Sequence, residues 1–75
     1  MRWFRSKAVK ELDAIVFEIK VNLSNNYKST AHEARKKLGV RVEELYREGK
    51  LKKSEYDSYR AQYEQFTVMM RDYHH

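Results

Sequence analysis

Three apolar stripes at helical spacing account for most of this 75-residue chain, and no proline interrupts any of them. The first is Val9, Leu12, Val16, Ile19 and Leu23. The second is Tyr27, Ala31, Ala34, Leu38, Val42 and Leu45, and the third is Tyr56, Tyr59, Tyr63, Phe66, Met70 and Tyr73. Steps of three and four keep one side of a 3.6-residue helix in the core, whereas a strand needs steps of two. The pattern predicts an all-α single domain over residues 1–75, a three-helix bundle with helix 1 over about 5–23, helix 2 over about 30–48 and helix 3 over about 55–73. Helices 2 and 3 should form an antiparallel hairpin, because only Gly49-Lys50-Leu51-Lys52-Lys53 separates them.

The punctuation between the stripes supports these boundaries. Ser24-Asn25-Asn26 is a polar break, and Asn tolerates the left-handed conformation at helix ends. Ser29 or Thr30 is placed to cap helix 2, with Glu33 three residues past Thr30 in a capping-box pattern. Gly49 follows the predicted end of helix 2, and Leu51 is expected to tuck under the corner. Ser54 is the expected cap of helix 3, with Glu55 and Asp57 in the first turn, where the helix dipole favours carboxylates.

A chain this short buries only about 60–65% of the surface its unfolded form exposes. It has no cysteine, so neither disulfides nor Cys-based zinc sites are open to it. Self-association is one of the few remaining ways to gain stability. The longest uncharged apolar run, Ala14 to Phe17, is far short of a membrane span. With a basic N-terminus that lacks the apolar stretch of a signal peptide, and with no cysteine, the expectation is a cytoplasmic protein.

Helix 1 carries a second apolar stripe roughly opposite the first. Trp3, Ala14, Phe17 and Val21 continue a 3-4 spacing that Lys7 and Lys10 join, and lysine stems can lie over apolar surface. Either helix 1 sits centrally and buries both sides within the monomer, or the second stripe is left for a partner. The surplus predicts an interface at Trp3, Ala14, Phe17 and Val21, with a homo-oligomer or another helical protein as partner. The basic start Arg2-Trp3-Phe4-Arg5 is a weaker match to an anionic membrane surface.

The net charge of +5 is unevenly spread: residues 1–10 contribute +4, 11–26 −2, 27–53 +5 and 54–75 −2. The basic segment raises a second function class, nucleic-acid binding through Arg35, Lys36, Arg41, Arg47, Lys50, Lys52 and Lys53. Within it, Glu33-Ala34, Leu38-Gly39-Val40 and Leu45-Tyr46-Arg47 form a pattern that resembles the helix-turn-helix signature of bacterial DNA-binding regulators. That resemblance implies a turn at Gly39 and a second helix presenting Arg41, Glu43, Glu44 and Arg47 to the major groove. The apolar stripe, by contrast, crosses Gly39 without a change of phase and predicts one continuous helix. Glu33 with Lys37 and Glu43 with Arg47 would then be favourable i,i+4 pairs on a solvated face.

The tyrosines of helix 3 resemble a stacking platform less than a seam, because they share a narrow stripe with Phe66 and Met70. Each hydroxyl there needs a partner or a route to water. His32 has no second metal ligand at helical spacing, and His74 and His75 end the chain. No nucleophile–base pair or glycine-rich phosphate loop is present in the sequence, so neither an enzyme nor a cofactor or small-molecule substrate is expected.

Overall fold

A computed structural model describes residues 6–71 and gives three helices, α1 (Lys7–Ser24), α2 (Lys28–Arg47) and α3 (Lys53–Met69). Among the described residues there is no strand. Trp3, Tyr73, His74, His75 and the basic start at Arg2 to Arg5 lie outside them.

Helix α1 begins where Ser6 caps it, the hydroxyl accepting the Val9 N–H at 3.1 Å. It ends in a two-bond reversal. The Tyr27 N–H reaches back to the Asn22 carbonyl at 2.8 Å, and the Asn26 N–H to Leu23 at 3.1 Å. Asn26 adopts the left-handed conformation this reversal requires (φ 62°). The same closure recurs after α2: Lys50 N–H to the Leu45 carbonyl at 2.9 Å and Gly49 N–H to Tyr46 at 3.0 Å, with Gly49 at φ 75°.

Three boundary expectations change. The reversal at Asn26 is so tight that α2 starts at Lys28, with Tyr27 as its cap residue and no side-chain cap bond; Ser29 and Thr30 fall inside the helix. Helix α3 starts earlier too, at Lys53, with the Glu55 carboxylate accepting the Lys52 N–H at 2.8 Å, so Ser54 is helical. It ends at Met69 rather than near residue 73.

Helix α2 lies between the other two. Ion pairs from Glu11 to Arg41 and from Glu18 to Lys37 join α1 to α2 in antiparallel register. Contacts of Glu43 with Tyr56 and Arg60, and of Arg35 with Tyr63 and Thr67, do the same for α2 and α3. Helices α1 and α3 therefore run in the same direction on either side of α2. The Cα envelope measures 44 × 24 × 15 Å. The central place belongs to α2, not to helix 1.

The core is built from the stripes. Leu12, Val16 and Ile19 of α1 meet Ala31, Ala34, Leu38, Val42 and Leu45 of α2, and Leu51 is buried at the corner. Helix α3 contributes Tyr59 and Phe66, and Met70 just past its end is buried too, with Tyr56 and Tyr63 packed against the cluster. Ala8 and Ile15 are buried as well, widening the inner face of α1. Tyr27, placed in the second stripe by its spacing, is instead exposed where the chain reverses.

The segment with helix-turn-helix resemblance is one unbroken helix, so Gly39 makes no turn. Gly39 has a different use. A Cβ there would lie 2.8 Å from Cε1 of Tyr63, far inside van der Waals contact. The missing side chain is a notch into which the Tyr63 ring fits. That ring also lies under two guanidiniums, Arg60 at 5.0 Å and Arg35 at 5.6 Å from its centroid.

Candidate functional site

The outer face of α1 is the surface with the clearest surplus of apolar side chains. Phe17 is 67% exposed and Val21 38%, and Ala14, one turn before Phe17, is exposed. Sequence spacing brings these three to one side of α1, and the structure leaves that side uncovered among the described residues. Phe17 stands on the rim of a shallow cleft between α1 and α3, with Val9, Val16, Tyr59 and Gln62 deeper in. The phenolic O–H of Tyr59 donates to Asp13 across this cleft, tying α3 to α1.

Lysines frame the apolar spot. Lys7, Lys10 and Lys20 are exposed. On the opposite flank of α1, Glu18 pairs with Lys37 at 3.1 Å. Glu11 accepts two hydrogen bonds from Arg41, one of them Nη2 to Oε1 at 2.8 Å. Those bonds hold the Glu11 carboxyl below its ordinary value of 4.5 and lift the Arg41 guanidinium above its own. Both acids of that flank are thus neutralised within the chain.

The basic segment is not gathered into one face. The Arg35 guanidinium is turned into the α2–α3 seam, donating to the Tyr63 hydroxyl and to Thr67 Oγ1, both at 3.3 Å. Arg41 is engaged by Glu11 and by Glu44 at 2.7 Å. Lys50 pairs with Glu48 at 3.6 Å and Lys53 with Asp57 at 2.8 Å. Lys36, Arg47 and Lys52 are exposed and make no ion pair among the described residues. Between Lys36 and Arg47 on the outer side of α2 stand Val40, Glu43 and Glu44, so carboxylates separate the two cations. The i,i+4 pairs expected at Glu33–Lys37 and Glu43–Arg47 do not form. Lys37 turns to Glu18 instead, and Glu43 accepts the Tyr56 hydroxyl at 2.8 Å beside Arg60. That bond raises the Tyr56 hydroxyl above its ordinary 10.0.

One exposed apolar spot lies outside the stripes. Val68 and Met69, 58% and 52% exposed, lie beside Glu64 and Gln65 near the end of α3. For Val68 the signal was available, since two residues after the inward-facing Phe66 a helix points away; Met69, three residues after Phe66, was not separable from the core side by spacing.

Among the described residues no three His, Cys, Asp or Glu side chains come together as a metal site, and no helix is long and apolar enough to cross a membrane. No protein-family model matches the chain, and neither a curated protein nor a solved structure matches it significantly.

Proposed function

We propose that this chain is a small, non-catalytic helical interaction module that self-associates through the outer face of α1. The observation that carries the reading is Phe17: a large aromatic side chain, two-thirds exposed, aligned with Ala14 and Val21 on a helix whose other side fills the core. Aromatic side chains are enriched at protein interfaces, where they bring large buried area at low entropy cost. Trp3 shares the spacing of this face and extends the proposed contact in sequence. A chain without cysteine suits a reducing compartment, and we place it in the cytoplasm. Nucleic-acid binding has less to stand on, because Arg35, Arg41, Lys50 and Lys53 are engaged within the chain and Glu43 and Glu44 interrupt what remains.

Phe17→Glu tests the proposal. At an exposed position it costs the monomer little, so helicity by circular dichroism should match the wild type. The wild type should sediment above 9.1 kDa at high concentration, and the variant at 9.1 kDa. A variant with the same mass as the wild type at every concentration contradicts the proposal.

A further inference from the structure

We infer that the occupant of the α1 outer face is the same face of a second copy running in the opposite direction, with Phe17 of each copy seated on Ala14 of the other. The inference rests on the self-association proposed above and adds its orientation, its register and the role of the lysines.

The outer positions of α1 are Lys7, Lys10, Ala14, Phe17 and Val21, with steps of three, four, three and four. This is the seam spacing of a two-helix coil, in which every position packs against the facing helix. Orientation follows from what meets across the seam. A parallel pair sets Lys7 against Lys7 and Lys10 against Lys10, and both contacts are repulsive.

The antiparallel pair removes both. Its two-fold axis passes between Ile15 and Val16, so position 14 faces 17 and position 10 faces 21. The smallest residue of the seam then receives the largest, twice, which is the self-complementary contact that two-fold symmetry demands. The Lys10 stem covers Val21. Asp13, which accepts the Tyr59 hydroxyl, comes beside Lys20 of the second copy. On the other flank Glu11 and Glu18 approach each other, but Arg41 and Lys37 already neutralise them.

The helix dipole gives an independent argument. Of the three helices, α1 alone has neither an acid in its first turn nor a base in its last. Lys7 and Lys10 instead sit at the amino end, where cations are unfavourable. Neither these two nor Lys20 makes an ion pair among the described residues. Antiparallel pairing carries Lys7 and Lys10 to the carbonyl-rich carboxyl end of the other α1, where positive charge is favoured. A single helix pair is at the small end of specific interfaces, so the association is reversible and concentration-dependent.

The absence of cysteine makes the test clean, since introduced thiols report only on their own positions. Lys10→Cys, Val21→Cys and the double variant are oxidised with glutathione and run on a non-reducing gel, after circular dichroism has shown that each is folded. Within one chain the two positions are about 16 Å apart along α1, too far to bridge. The antiparallel register predicts covalent dimer from the double variant, and from an equimolar mixture of the singles, at about ten-fold the level of either single alone. Singles that cross-link to themselves would establish the parallel pair and overturn the arrangement. No cross-link from any of them, with the sedimenting mass still dimeric and sensitive to Phe17→Glu, also overturns it while self-association stands. A monomeric mass throughout overturns both.

Discussion

At the scale of single residues, Gly39 shows why a glycine sits in the middle of a long helix. Exchanging a mid-helix glycine for alanine ordinarily stabilises by about 1 kcal/mol. Here the new Cβ would meet the Tyr63 ring at 2.8 Å, and that ring is confined by Arg35 and Arg60. Gly39→Ala should therefore fail to stabilise the wild type, yet should gain about 1 kcal/mol in a Tyr63→Ala background, where the notch has no occupant. Urea denaturation of the four proteins of this cycle decides it. An equal gain in both backgrounds would mean that the notch is incidental. Gly39 was visible in the sequence as an oddity but not as a notch. Its partner is 24 positions away, and no local pattern links a glycine to the ring that fills it.

At the scale of helices, the three stripes located α1, α2 and α3, and the left-handed Asn26 and Gly49 were legible from residue type. The starts of α2 and α3 were not. Thr30 with Glu33 satisfied a capping pattern, but the reversal at Asn26 and Tyr27 ties down backbone groups earlier and lets α2 begin at Lys28. A capping motif names residues able to cap; the preceding turn decides whether they are asked to. The contrast is measurable. Ser6→Ala removes a cap that accepts the Val9 N–H and should cost about 1 kcal/mol, whereas Thr30→Ala should stay within about 0.5 kcal/mol of wild type. Equal losses at both sites, read from thermal and chemical denaturation, would contradict the assigned start of α2.

At the scale of the molecule, the central position of α2 escaped sequence reasoning for a physical reason. Apolar periodicity counts only apolar residues, and its stripe on α2 is narrow. The flank of α2 that meets α3 is made of Arg35, Gly39, Glu43 and Tyr46. These residues hold Tyr63, the Tyr56 hydroxyl and a Tyr46–Tyr56 stack with ring centroids 4.1 Å apart. Such a seam is nearly invisible to hydropathy, although the run of tyrosines in α3 announced that hydroxyls would need partners. With α2 in the middle, α1 has only one packed side, and its second stripe keeps Phe17 in solvent. The surplus itself was read directly from spacing; that Ala14, Phe17 and Val21 remain uncovered within the described chain needed the helix order. Self-association is tested most directly by sedimentation equilibrium of the unmodified protein over a wide concentration range. The mass should climb from 9.1 kDa toward twice that value as concentration rises. A mass fixed at 9.1 kDa at every concentration would contradict it.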